Sequence, residues 1–90
     1  MNPKYKTFLN KVYEAYVKRQ ACLVCGVLGV DLHHCWHGRN NSYLCIPLCR
    51  EHHRKYHGKN WKSFELLYKL DLKFEIINLL SEFLGQKELT

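Results

Sequence analysis

Cysteine and histidine are spaced in this 90-residue chain as metal ligands are spaced. Cys22 and Cys25 form a Cys-x-x-Cys pair, His33 and His34 are adjacent, and the run Leu48-Cys49-Arg50-Glu51-His52-His53-Arg54-Lys55-Tyr56-His57 adds one cysteine and three histidines. These marks use five of the six histidines and three of the five cysteines. A Cys-x-x-Cys pair joined by a cysteine and histidine within one helical turn is how four ligands are gathered tetrahedrally around zinc.

The spacing separates two ligand sets. On a helix starting near Cys49, Cys49 and His52 stand at i, i+3 and share a face, whereas His53 and His57 stand at i, i+4 and share another, about 100° further round. The first pair closes a Cys₃His site with Cys22 and Cys25, leaving no open position, which makes that metal structural. The second pair meets something else, and His33 and His34 are the candidates. Neighbouring strand residues point to opposite faces, so both histidines serve one site only if the strand ends, bends or bulges there. Three imidazoles on a divalent ion beside a free imidazole make a hydrolytic arrangement, in which the ion polarises a phosphoryl oxygen and the free base takes a proton from water. The plainer alternatives are that His33 and His34 are ordinary strand histidines and that His52 and His53 exchange roles. His37 reads as a loop residue or phosphate contact. Cys35 and Cys45 read as small buried hydrophobes, or as a pair that oxidises.

Four helices and a hairpin are expected to hold these residues. Asn2-Pro3 can start a helix, and Tyr5, Phe8, Leu9, Val12, Tyr13, Tyr16 and Val17 keep the helical period over residues 3 to 19. Cys22 to Gly26 reads as a zinc knuckle with Gly26 freeing its turn. Val30 to Trp36 and Tyr43 to Leu48 read as two strands about the turn Gly38-Arg39-Asn40-Asn41-Ser42, with Pro47 near the end of the second. Residues 49 to 57 form a helix stopped by Gly58. Asn60 caps a helix with Trp61, Phe64, Leu67 and Tyr68 on its apolar face. Asp71 caps another with Leu72, Ile76, Ile77, Leu80 and Leu84, closed by Gly85, after which the last five residues fray. Trp36 and Trp61 are core or base-stacking residues. The organisation is a single domain: an N-terminal helix over 1–20, a zinc core over 21–58 and C-terminal helices over 59–90.

A chain of this size buries only about 60 to 70% of its unfolded surface, so a bound metal can decide whether it folds. Zinc binding of roughly 10 to 16 kcal/mol matches the whole stability of a typical domain, about 5 to 15 kcal/mol. The net charge is +6. Arg39, Arg50, Arg54, Lys55, Lys59 and Lys62 face the single acid Glu51 between residues 39 and 62, a basic stripe suited to nucleic acid; the plainer reading is a solvated helix face. No apolar run suggests a signal peptide or membrane span. An odd cysteine count at metal spacing favours thiolate ligands in a reducing compartment, so the expected location is cytoplasmic.

Residues 22 to 57, with Cys-x₂-Cys, His-His, Pro-Leu-Cys-x₂-His-His and the closing His-x₃-His, resemble an HNH endonuclease of the ββα-metal type on a zinc-bound treble clef. The catalytic histidines resemble those of the nuclease colicins, and the Pro-Leu-Cys run resembles the phage recombination-enhancement nucleases. The resemblance implies an α+β treble-clef ββα-metal core with a structural zinc, flanked by helices. It makes His34 the general base, makes His33, His53 and His57 the ligands of a catalytic Mg²⁺ or other divalent ion, and makes Cys22, Cys25, Cys49 and His52 the zinc set. Where the family's middle asparagine should orient the base stand Ser42, Tyr43 and Leu44, with Asn40 and Asn41 displaced toward the turn; a backbone carbonyl can substitute.

The implied activity is phosphodiester hydrolysis on DNA, leaving 3′-hydroxyl and 5′-phosphate ends, with Arg39, Arg50, Arg54 and Lys55 on phosphates and low sequence specificity. A phage or prophage source and a recombination protein partner are implied by the resemblance alone, and no membrane is involved. The alternatives are a non-catalytic zinc module binding nucleic acid or protein, and an RNA-cleaving domain using the same histidines.

Overall fold

The computed structural model describes the backbone over residues 3–37 and 41–88 and side chains over 11–36 and 41–85. Its order is α1 (Pro3–Lys18), β1 (Asp31–His34), β2 (Cys45–Leu48), α2 (Arg50–His57), α3 (Trp61–Tyr68) and α4 (Leu72–Glu88). Short 3₁₀ turns at Cys35–His37 and Ser42–Leu44 flank the hairpin loop. The domain is therefore α+β, with four helices and a two-stranded antiparallel sheet among the described residues. Asp31 pairs with Leu48, Leu32 with Pro47, His33 with Ile46 and His34 with Cys45.

Both strands are shorter than the β-prone runs that contain them, and in each case a local device stops the ladder. After His34 the backbone turns through Trp36 at φ 51, ψ 42, a left-handed conformation that costs a bulky residue energy and cannot continue a strand. Before Cys45, the Asn41 side chain accepts from the Tyr43 N–H at 3.0 Å and caps a 3₁₀ turn, an asparagine's usual alternative to extended backbone. Gly38, Arg39 and Asn40 of the expected turn lie outside the described residues.

The knuckle is bound to the sheet. The Cys22 N–H donates to the Val27 carbonyl at 2.9 Å and the Gly26 N–H to the Cys22 carbonyl at 2.9 Å, while the Leu23 N–H donates to the Pro47 carbonyl at 3.1 Å. Gly26 sits at φ 78, where a side chain would be strained.

The core lies between α1, the sheet and the C-terminal helices. Tyr13, Tyr16 and Val17 of α1 pack with Ile46 and Leu48 of β2, Tyr56 of α2, Phe64 of α3 and Leu72, Ile76 and Leu79 of α4, all buried. The Phe83 ring meets Tyr13 and Tyr16 at centroid distances of 5.2 Å, and the Tyr16 hydroxyl donates to Glu82 at 3.3 Å. Of the apolar face expected of α1, the side chains of Tyr5, Phe8 and Leu9 lie outside the described set.

Helix ends follow the chemistry of their caps. Cys49 stands at the N-cap of α2 and Gly58 at its C-cap. Asn60 caps α3 by accepting from the Ser63 N–H at 2.8 Å, and Asp71 caps α4 by accepting from Phe74 N–H at 3.1 Å. Lys69, in the left-handed region at φ 55, ends α3. Gly85 does not end α4, which continues to Glu88, because an isolated glycine costs a helix only about 1 kcal/mol. The inward stripe of α4 also differs from expectation. Leu72, Ile76 and Leu79 are buried, whereas Ile77 and Leu84, like Leu67 of α3, are exposed. Apolar residues surround more of each helix than one small core can cover, so periodicity alone selects Leu72, Ile76 and Phe64 correctly but adds Ile77, Leu84 and Leu67. No described helix is long and apolar enough to cross a membrane.

Candidate metal centres and the histidine cavity

Helix α2 begins one residue after β2, and this abrupt entry lets it carry ligands for two clusters. Cys49 is held in extended backbone at the N-cap (φ −63, ψ 164) and makes no side-chain cap bond; its sulfur turns instead to the knuckle. Cys22, Cys25, Cys49 and His52 bring their ligand atoms within 4.8 Å of one another. The Cys25 and Cys49 sulfurs are 3.8 Å apart, Cys22 Sγ is 3.8 Å from His52 Nδ1, and Cys49 Sγ is 3.2 Å from His52 Nδ1. Zn–S bonds near 2.3 Å and Zn–N bonds near 2.05 Å give tetrahedral edges of about 3.8 Å between sulfurs and about 3.6 Å between sulfur and nitrogen. The Cys25–Cys49 edge equals that of such a tetrahedron and is far too long for a disulfide, and the two sulfur–nitrogen separations fall within about 0.4 Å of its sulfur–nitrogen edge. The cluster could therefore hold a metal such as zinc. Burial by itself would raise the Cys22 thiol, but hydrogen bonds from the Cys49, Cys25 and Val24 backbone, joined by the Cys25 side chain, outweigh it and bring the thiol down to about 6. That favours the thiolate a metal needs.

One residue further round α2, His53 and His57 face β1 and meet His33. The three offer one ring nitrogen each within 4.8 Å of one another, and His53 Nε2 lies 3.1 Å from His57 Nε2. Two nitrogens on one ion are about 3.3 Å apart in tetrahedral and about 3.0 Å apart in octahedral coordination, so this pair already stands at a ligand edge. His33 is only 5% exposed, and its Nε2 is buried without a hydrogen-bond partner. Such an orphan is costly unless something fills the position, and a metal ion could fill it. Burial first, then the neighbouring His53, His57 and His34, push the His33 pKa down to about 4, so the ring stays neutral and able to ligate. Tyr56 lies beneath it, ring centroids 3.8 Å apart.

Two acids complete this geometry. Asp31 Oδ2 lies 3.3 Å from His53 Nδ1, which fixes the tautomer with Nε2 free for a metal, as carboxylates behind ligating histidines do. Glu14 of α1 places Oε2 3.9 Å from His34 Nε2 and accepts from the Ser42 hydroxyl at 2.5 Å. His34 belongs to no metal cluster among the described residues. His33 and His34, the last two residues of β1, both line one cavity of about 520 Å³, together with His53, His57, Trp36 and Trp61.

A family model described as Protein of unknown function (DUF968) matches residues 1–83. The chain belongs to the DUF968 family. It is 33% identical over 85 residues to the Uncharacterized protein YdfU of Escherichia coli (strain K12), an alignment covering 84% of this chain and 24% of that protein. The chain thus spans about a quarter of the length of that curated relative. No solved structure matches.

Cys35 and Cys45 of the DUF968 chain are free and fully buried, and burial pushes both thiols up to about 12; they pack as small apolar residues. Among the expected phosphate contacts, Arg50 lies 3.8 Å from Asp31, Lys55 is paired with Glu51 at 3.2 Å, and Arg54 is exposed. Arg39 lies outside the described residues. Among the described residues, Lys59 is the lysine that lines the histidine cavity of the DUF968 chain. Asp31, Glu14 and Ser42 carry no signal in their own spacing, since their partners are 22, 20 and 28 residues away.

Proposed function

We propose that this chain is a metal-dependent DNA endonuclease of the HNH type, a ββα-metal core on a zinc-bound treble clef. The observation that carries the reading is the histidine cavity. His33, His53 and His57 converge with a buried, unpartnered nitrogen among them, and a further histidine, His34, lines the same cavity outside that cluster. In this reading Cys22, Cys25, Cys49 and His52 hold the structural Zn²⁺, and the three converging histidines hold Mg²⁺ or another divalent ion. When bound, that ion supplies Lewis-acid polarisation of a phosphoryl oxygen.

The protein's own groups do the rest. His34 takes a proton from the water attacking phosphorus as the bond to the 3′-oxygen breaks, and the departing oxygen takes a proton from solvent. Glu14 places Oε2 3.9 Å from the His34 Nε2, and by closing to hydrogen-bond distance it would orient the ring with the opposite nitrogen toward the water, the role the missing asparagine would fill. Ser42, donating to the same carboxylate oxygen, holds Glu14 in place. Asp31 keeps His53 in the ligating tautomer. Exposed Arg54 and the cavity's Lys59 meet phosphate. A phage source, a recombination partner and a cytoplasmic location belong to this same proposal.

Nicking of supercoiled plasmid with Mg²⁺, Mn²⁺, Ni²⁺ or Zn²⁺ tests it. His34→Ala should lower turnover by roughly a hundredfold or more with metal content unchanged. Glu14→Ala should lower it less and add nothing in the double variant, since the two act through one proton transfer. Wild-type protein that cleaves with none of these ions replaces the reading with a non-catalytic zinc module. Equal rates for wild type and His34→Ala remove the base assignment.

A further inference from the structure

The histidine cavity has an aromatic end that hydrolysis alone does not require. Trp36 and Trp61 both line it, with ring centroids 5.8 Å apart at 78°. An edge-to-face pair leaves the face of one ring uncovered by the other. Trp36 is held at φ 51, and a tryptophan in the left-handed region persists only where its surroundings over-determine it, which occurs most at functional sites. Trp61 packs against the edge of the core and also lines a second cavity of about 560 Å³, so it stands as a wall between two hollows. Both indoles are only partly buried. Lys62 Nζ lies 5.5 Å from the Trp61 ring centroid, and Lys59 and Asn60, adjacent to Trp61 in the chain, line the same cavity. Aromatic faces interleaved with lysine are what a nucleotide needs, a π-surface for the base and a cation for its phosphate.

We propose that Trp36 and Trp61 form a stacking platform for an unpaired base of a single-stranded polynucleotide, so that the site takes unpaired strands in preference to intact duplex. The inference rests on the nucleic-acid reading above and adds the substrate form. Within a duplex each base face is covered by its neighbours, and exposing one costs a few kcal/mol; an unpaired strand presents its bases without that cost. The cavity volume falls in the roughly 300–1,000 Å³ range of sites that enclose small molecules.

The chain's two tryptophans are these two, so intrinsic fluorescence reads the platform directly and without catalysis. Short oligo(dT), oligo(rU) and a hairpin duplex are titrated into full-length protein with zinc bound. The expected result is saturable quenching by an unpaired strand, with the dT and rU arms identifying the preferred sugar, and little change with the duplex. Trp61→Ala, checked by circular dichroism and zinc content, should weaken single-strand binding roughly 5- to 100-fold and leave duplex binding within about twofold; Trp61→Phe should restore most of it. Unchanged fluorescence under saturating strand, or wild-type single-strand affinity in Trp61→Ala, overturns the platform. Quenching without cleavage leaves the platform standing and removes the nuclease reading. Cleavage with Trp61→Ala equally impaired on both substrate forms does the reverse.

Discussion

His33 concentrates the residue-scale argument, because one side chain combines deep burial, an unpartnered Nε2 and two neighbouring imidazoles. Its pKa is depressed from 6.5 to about 4, by burial before the neighbouring charges. The sign of the consequence follows from proton counts. Between those two values the unfolded chain binds a proton that the folded protein does not, so stability is full above about 6.5 and declines as pH falls toward 4. Replacing His33 by Phe removes the titrating group. Urea denaturation from pH 6.5 down to about pH 5, with the histidine site kept free of added metal, should then show wild type losing roughly 2 kcal/mol more than His33→Phe. Parallel curves would contradict it. Acid also protonates free imidazole ligands, so divalent-ion affinity should fall over the same range.

At the scale of elements, α2 is the joint on which both clusters hang. Its N-cap cysteine and His52 face the knuckle while His53 and His57 face β1, and the His53 N–H donates to the Cys49 carbonyl at 2.8 Å, tying the start of the helix to the first cluster. Metal binding at the cysteines is accordingly expected to fix the helix that presents the histidines. Cys49→Ser should lose tightly bound zinc and the cooperative unfolding transition together, because ligand assembly is coupled to folding. Zinc content by mass spectrometry alongside thermal circular dichroism checks this. A folded, metal-free Cys49→Ser protein with an unchanged transition would falsify the structural role of that site.

Across the whole molecule, charge decides how a polyanion is met. The six basic residues between Arg39 and Lys62 would give a log affinity against log salt slope near −5 on duplex and near −4 on a single strand if each neutralised one phosphate. The structure divides them unequally. Lys55 is already paired with Glu51, whereas Arg54 is exposed, so Arg54→Ala should flatten the slope by about one and Lys55→Ala by less. Fluorescence anisotropy over a salt series measures both. A salt-independent interaction, or a larger effect from Lys55, runs against this account.

What the sequence determined by itself was whatever repeats along one helix or within one turn. Cys49 with His52 and His53 with His57 are legible because a helix returns to the same face every three or four residues, and the caps Asn60 and Asp71 because their bonds close within three residues. Cys22 and Cys25 sit on one turn for the same reason. The tertiary structure alone decided the contacts that span 20 residues or more: Asp31 behind His53, Glu14 beside His34, and Ser42 on Glu14. It also decided which of the apolar residues of α4 turn inward, since a helix apolar on several sides is oriented by its neighbours and not by its period. The ends of the strands were settled by Trp36 and Asn41 through backbone geometry that β propensity does not register. The two histidines at the end of β1 alternate in register and nevertheless line one cavity, because that cavity is closed by residues from α2 and the loop before α3 that no local spacing along the strand can report.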